Sequence, residues 1–236
     1  MIIGISGKIG SGKDTLGTML QGVADGYPDD FIIERVKAGG FHPNHVSYEI
    51  KKFAGKLKQV TSIITGIPVE DLENPAIKHS ELGEEWDLLI LNKYDKEGNN
   101  IKTSYTVRKM LQRIGTEAMR KQIHPDVWVN ALFADYLPQV FTSDNRMTER
   151  WPDWIITDVR FPNEAKAIKD RNGILIRINR QTIESVTSEF FHGIEGVEQH
   201  PSETSLDDWD DWDFIVDNNE GFEELLQTTY KIYNSL

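Results

Sequence analysis

Gly7-Lys8-Ile9-Gly10-Ser11-Gly12-Lys13-Asp14-Thr15 packs three glycines, two lysines and two hydroxyls into nine residues. Its G-x-x-x-x-G-K core suits the binding of a polyphosphate. Glycines let backbone N–H groups turn inward with no Cβ in the way. An apolar run, Ile2 to Ser6, precedes the loop, and Leu16, Met19, Leu20 and Val23 follow at helical spacing. Amides at a helix start would therefore face the same anion, helped by the helix dipole. Gly7, Gly10, Ser11, Gly12, Lys13, Asp14 and Thr15 form the expected phosphate-binding set, with the Lys13 ammonium against the β- and γ-phosphates. Asp14 stands where a Ser or Thr would ligate Mg²⁺. It can hold the metal's water shell or cap the helix, and Thr15 supplies the next hydroxyl. The competing reading is a glycine-rich turn that binds nothing. Strand, helix, lysine and glycines in register weigh against it.

A second constellation is Thr157-Asp158-Val159-Arg160-Phe161-Pro162-Asn163-Glu164, at the end of an apolar run. Ligands of open α/β sheets sit beyond the carboxyl ends of strands. Asp158 there can bind Mg²⁺ through water or take the acceptor's proton, and Arg160 can grip an acceptor phosphate. The plainer alternative makes Asp158 a turn cap with Arg160 as its partner. Glu164 is a weaker acceptor-site candidate, because it also suits the first turn of a helix.

The third constellation is a helix expected over Thr106 to Lys121. Val107, Met110, Leu111, Ile114 and Ala118 form its apolar stripe and Thr106 its cap. Arg108, Gln112 and Gly115 share one flank; Arg113, Glu117 and Arg120 share the other. These flanks could line an acceptor cleft, with Gly115 allowing close approach, or be ordinary exposed surface. Lys52-Phe53-Ala54-Gly55-Lys56-Leu57-Lys58 could bind a phosphate or stack a base, or be a solvated basic turn. Of Arg171, Arg177 and Arg180, the last ends a strand before a loop. It is the best candidate for a lid arginine that neutralises a transferring phosphoryl group. The six histidines show no metal-binding spacing and read as surface or core.

The elements that must position these residues alternate. Strands are expected at Ile2–Ser6, Val46–Ile50, Trp154–Thr157, Ile174–Ile178 and Phe214–Val216. Helices are expected after the phosphate loop, around Leu57 to Ile64, and over Thr106–Lys121, Asp126–Tyr136, Pro162–Arg171 and Phe222–Tyr233. Asn172-Gly173 closes the fifth of these helices. That order predicts an α/β fold with a doubly wound parallel sheet. Residues 67–104 read as an insertion with local structure and a hairpin turning at Gly98. Residues 181–206 read as a lid-like loop. One domain over residues 1–236 is expected.

Composition sets outer bounds. Apolar residues make up 39% and charged residues 27%, which suits a soluble globular chain. Lys and Arg total 26 against 38 Asp and Glu, a net charge of −12, which argues against a duplex-DNA binder. Asp207-Asp208-Trp209-Asp210-Asp211-Trp212-Asp213 reads as a solvated loop before a strand rather than a metal site. There is no cysteine, so disulfides and thiol chemistry are excluded. No run is long and apolar enough for a membrane span, and the opening residues lack a signal-peptide pattern. A cytoplasmic protein is expected.

Together, Gly7 to Thr15, Thr157 to Glu164, His200-Pro201-Ser202-Glu203 and Asn218-Asn219-Glu220-Gly221 resemble phage-type deoxynucleoside monophosphate kinases. Arg108 to Arg120, with Gln112, Gly115-Thr116-Glu117 and Trp128, is similar to that family's middle segment. The resemblance runs from residue 1 to about 225, leaving 67–104 uncovered. It implies the P-loop nucleoside monophosphate kinase fold and ATP- and Mg²⁺-dependent conversion of deoxynucleoside monophosphates to diphosphates for DNA precursor synthesis. It also implies a phage or prophage origin, and hence a bacterial host's cytoplasm. By the same resemblance Lys13 holds donor phosphates and Asn218 lies near the donor adenine. Arg160 and the Arg108 helix, with Gln112, Thr116 and Arg120, hold the acceptor. Small nucleotides are the implied partners, and a homodimer is compatible with the sequence. Two alternatives stand beside this reading. One is a P-loop kinase for another phosphorylated acceptor, such as dephospho-coenzyme A. The other is a non-catalytic nucleotide sensor.

Overall fold

The computed structural model describes residues 1–42, 46–94, 100–143, 146–181 and 204–236. The described chain divides into two compact units, Met1–Phe53 with Leu132–Leu236, and Ala54–Ala131.

The first unit is built on β1 (Ile2–Ser6), whose five residues are all buried. Helix α1 (Lys13–Ala24) follows the phosphate loop, then α2 (Asp29–Lys37) and β2 (Tyr48–Lys51). Helix α2 buries only Ile32, which is why its apolar signal is weak. The expected second strand is present two residues later than its pattern suggested. Helix α3 (Phe53–Thr65) begins at the boundary between the units.

In the second unit a 3-10 turn at Asp71–Glu73 leads into α4 (Pro75–His79), capped by Asn74. Strands β3 (Leu88–Tyr94) and β4 (Asn100–Thr103) pair antiparallel. The 67–104 stretch therefore carries a hairpin, whose expected turn at Gly98 lies outside the described residues. Helix α5 (Val107–Gln112) opens on Thr106, whose Oγ1 accepts from Lys109 N at 3.2 Å, as expected. It then widens into a π-helical segment, Arg113–Ile123. The turn with i→i+5 bonds changes which side faces inward. Met110, Ile114 and Gly115 are buried and Met119 packs on the same cluster, whereas Ala118 is exposed. The expected stripe thus fails at Ala118.

Helix α6 (Val127–Phe133) leads back to the first unit. Strands β5 (Gln139–Ser143) and β6 (Arg146–Arg150) form a hairpin the sequence pattern does not announce. Then come β7 (Asp153–Val159), α7 (Pro162–Lys169), β8 (Ile174–Asn179), β9 (Phe214–Asp217) and α8 (Phe222–Tyr233). Asn172, at φ 55°, turns the chain out of α7. Five strands form one parallel sheet in the order β2-β7-β1-β8-β9. The central strand is first in sequence, so the order reverses beside it, the place where open α/β sheets bind ligands. Ile3, Ile5, Leu16, Met19, Leu20, Ile155, Ile176, Ile178 and Leu226 join in the main core.

One irregularity lies at this rim. Gly4 pairs with Ile156 but Ser6 pairs with Val159. β7 spends one residue more than β1 over Thr157–Asp158, a bulge of the kind that re-aims side chains beside functional sites.

Candidate active site

The phosphate loop leaves β1 at Gly7 and enters α1 at Lys13. Gly10 and Gly12 have φ of 76° and 99°, the left-handed region in which glycine carries no Cβ penalty. A Cβ on Gly7 would stand 2.3 Å from Ile178 O, and one on Gly12 2.5 Å from Asn218 Nδ2. The loop is therefore wedged between β8, β9 and α1. Gly12 is the N-cap of α1 and offers no side chain, leaving first-turn amides to an external anion. Ser11 is buried and its Oγ has no hydrogen-bond partner among the described residues. Lys13 Nζ donates to Gly7 O and Lys8 O, both at 2.7 Å. The ammonium thus lies folded across the loop it is expected to serve.

Asn218 sits at the end of β9. Its Nδ2 donates to Ser11 O at 2.9 Å, tying the last strand to the loop. With Gly12, Thr15, Arg180, Glu220, Gly221, Phe222 and Leu225 it lines an open cleft beside α1. Arg180 is exposed on that cleft. Arg177 is engaged elsewhere, with Asp207 at 3.2 Å and Ser6 Oγ at 3.4 Å, and Arg171 covers the Phe133 ring. Residues 182–203 of the expected lid loop lie outside the described residues, as do His200–Glu203.

Asp14 does not cap α1. Its Oδ1 accepts from Thr157 Oγ1 at 2.6 Å and lies 3.1 Å from Lys52 Nζ. Burial works to raise its pKa, but the Thr157 hydrogen bond and the charges of Lys52 and Lys13 outweigh it. The carboxyl is held below its usual range. Thr157 is almost fully buried and was not among the expected site residues. The signal that could have found it is a hydroxyl that follows the aliphatic pair Ile155-Ile156 and precedes Asp158.

Asp158 Oδ1 accepts from Phe53 N at 2.8 Å, so β7 holds the first amide of α3. The Phe53 ring is 2% exposed and packs edge-on to Phe133. This corrects the expectation that Phe53 stacks a base: its ring belongs to the core, and its amide meets the site. Glu164 is corrected likewise. It is 1% exposed, and its Oε2 accepts from Arg160 N at 2.8 Å and Phe161 N at 3.1 Å, closing the start of α7. Arg160 stands partly exposed just beyond β7. The first unit thus carries Gly7–Thr15, Lys52, Asp158, Arg160, Arg180 and Asn218 at or near the carboxyl ends of its parallel strands.

Arg108, Gln112, Thr116 and Arg120 belong to the second unit. Arg108 and Gln112 are exposed, Thr116 and Arg120 half-buried. Arg108 Nη2 lies 3.5 Å from His79 Nε2. Arg113 pairs with Glu117 at 3.3 Å and touches Tyr105 OH at 3.5 Å. Gly115 does admit a close neighbour, but that neighbour is Leu57 of α3: a Cβ would stand 3.0 Å from Leu57 Cδ2. Its carbonyl accepts from Trp128 Nε1 at 2.9 Å.

No group of three or more His, Cys, Asp or Glu able to hold a metal occurs among the described residues. A metal here would take its remaining ligands from phosphate and water, the usual habit of Mg²⁺. The Asp14 carboxylate, exposed and held ionised, fits that role. His42, His79 and His124 are exposed surface residues. The Asp207–Asp213 run is tied to cations: Asp207 to Lys8 and Arg177, and Asp211 and Asp213 to Lys169. No helix among the described residues is long and apolar enough to cross a membrane.

The sequence model of a family described as deoxynucleotide monophosphate kinase matches residues 59–229. That range begins after the phosphate loop, so it speaks independently of Gly7–Thr15. It also encloses residues 67–104. The chain is 34% identical over 122 residues to a putative deoxynucleotide monophosphate kinase of Acanthamoeba polyphaga mimivirus. It is 33% identical over 100 residues to the deoxynucleoside-5'-monophosphate kinase of Escherichia phage T5. These stretches cover 50% and 42% of this chain, and 56% and 34% of the respective relatives' lengths. With the family match spanning most of its length, the chain belongs to the deoxynucleotide monophosphate kinase family.

Proposed function

We propose that this chain moves the γ-phosphoryl group of ATP onto the phosphate of a deoxynucleoside monophosphate, giving ADP and a deoxynucleoside diphosphate. The carrying observation is the union of a phosphate loop at residues 7–15 with a family match over residues 59–229. That match does not favour a dephospho-coenzyme A acceptor or a silent sensor.

Phosphoryl transfer asks the protein mainly for positioning and charge neutralisation. In this reading the amides of Gly10 and Gly12 and those of the first turn of α1 surround the donor phosphates. Gly7 keeps the turn tight, and Thr15 stands in the first turn behind them. Lys13 leaves the carbonyls of Gly7 and Lys8 for the β- and γ-phosphates. The donor base enters the cleft beside Asn218, and Arg180 supplies positive charge from its rim. Arg160, Lys52, Arg108, Gln112, Thr116 and Arg120 serve the acceptor. Asp14 and Asp158 would hold the water of a Mg²⁺ ion, which would supply charge neutralisation to the donor phosphates. The two units act as one kinase domain in the cytoplasm, on free nucleotides rather than duplex nucleic acid. Oligomeric state does not enter this chemistry.

The test is a coupled assay with ATP, Mg²⁺ and each of the four deoxynucleoside monophosphates, with the ribonucleotides alongside. Turnover of at least one deoxynucleotide is expected. No turnover with any of them defeats the proposal.

A further inference from the structure

Two donors from different elements converge on a single oxygen of Asp14. Thr157 Oγ1, from β7, and Lys52 Nζ, from the turn after β2, both meet Oδ1, at 2.6 Å and 3.1 Å. Oδ2 has no partner among the described residues, and the side chain is largely exposed. Thr157 is 1% exposed in a strand whose buried neighbours are Ile155, Ile156 and Val159. Valine would fill the same space, so the hydroxyl is what distinguishes this position. The bulge over Thr157–Asp158 aims it. A Cβ on Gly17 would stand 2.7 Å from Thr157 Cγ2, so α1 lies close enough for the bond to form.

The chemistry needs this support. A carboxylate in place of a neutral hydroxyl adds a negative charge beside a polyphosphate, and like charges at such range repel. It is also longer, and without an anchor it samples several rotamers.

We propose that Thr157 and Lys52 are positioning residues for Asp14: they saturate Oδ1, fix the rotamer and offset the charge, leaving Oδ2 to accept from water on the donor's Mg²⁺. This inference rests on the donor site proposed above and deepens it. It also moves Lys52 from the acceptor set to the donor set. The lysine charge at Oδ1 disfavours direct metal contact there and selects the water-mediated arrangement.

Mn²⁺ in place of Mg²⁺, with a non-hydrolysable ATP analogue and no acceptor, reads the site without turnover, by electron paramagnetic resonance. Lys52→Met and Thr157→Val should each weaken Mn²⁺ binding in that complex roughly 10–100-fold, the usual scale for groups that orient a metal's partners. Lys52→Arg and Thr157→Ser should restore most of the loss. Asp14→Asn with Lys52→Met should bind no more weakly than Asp14→Asn alone, since Lys52 acts through Asp14. Unchanged Mn²⁺ affinity in Lys52→Met, with a raised KM for the monophosphate, overturns the inference and returns Lys52 to the acceptor. Unchanged affinity in Thr157→Val shows its hydroxyl to be idle and equally overturns it. Should Thr157→Val fail to fold by thermal melt, the partly exposed Lys52 carries the test. A wild-type chain that binds no Mn²⁺–nucleotide complex refutes the donor site itself, a failure distinct from that of this inference.

Discussion

The phosphate-loop rim of the first unit and the Val107–Ile123 helix of the second both carry basic side chains, but they hold them differently. At the rim, Lys13 is gripped by two carbonyls, Asp14 by a buried hydroxyl and a lysine, and Asp158 by a backbone amide. Gly10 and Gly12 there sit in conformations that other residues avoid. Along the helix, Arg108 and Arg113 are exposed, and the contacts they make are long or solvent-facing. Exposed ion pairs contribute little to stability. The difference teaches where preorganisation is concentrated: in the grip expected for the donor, while the grip expected for the acceptor relies on long side chains over an unusual helical backbone.

The sharpest way to break this contrast is Lys13→Ala. It should lower kcat by about 10³-fold or more, as loss of a preorganised charge at a transferring group does, with the melting temperature little changed. Near-normal turnover in steady-state assays would remove the donor site from the loop. Next comes the acceptor side. Arg160→Ala and Arg108→Ala should each raise the KM for the monophosphate by about 10-fold, the worth of one hydrogen bond to a charged group, and leave ATP affinity unchanged. Equal losses for both substrates would show that the two regions are not divided by substrate. Glu164→Ala probes structure alone. Two backbone amides would lose a buried acceptor, costing about 1–3 kcal/mol in chemical denaturation, while kcat per folded molecule stays level. The smallest effect belongs to Trp128→Phe, which removes the hydrogen bond to the Gly115 carbonyl. A loss of about 1 kcal/mol is expected. Faster amide exchange should be confined to Arg113–Ile123, and a uniform change across the chain would deny that this bond supports the π-helical turn.

The same contrast explains what the sequence made legible. The parallel sheet announces itself, because strands buried on both faces read as near-continuous aliphatic runs, as in Ile2–Ser6 and Trp154–Thr157. The phosphate loop is legible because its chemistry demands particular residue types at fixed spacing. Phe53 and Glu164 misled because burial is a tertiary property: an aromatic next to lysines and a glutamate after an arginine look like ligand contacts until the core claims them. Ala118 misled because nothing in the pattern distinguishes an α from a π register, and the shift appears only in which residues face Leu57 and Trp128. The β5–β6 hairpin escaped notice because Val140, Phe141 and Met147 are exposed, so no alternation of buried and exposed positions marks it.

The extra residue in β7 has a further consequence. Side chains along a strand alternate between faces, so parity decides what each position sees. Removing one residue between Ile156 and Val159 would restore even pairing with β1 and leave a single side chain there, so the hydroxyl held at Asp14 and the carboxylate held at the Phe53 amide could not both be presented. Length at this rim is therefore as much a part of the chemistry as residue type, and insertions or deletions there should be far less tolerated than substitutions.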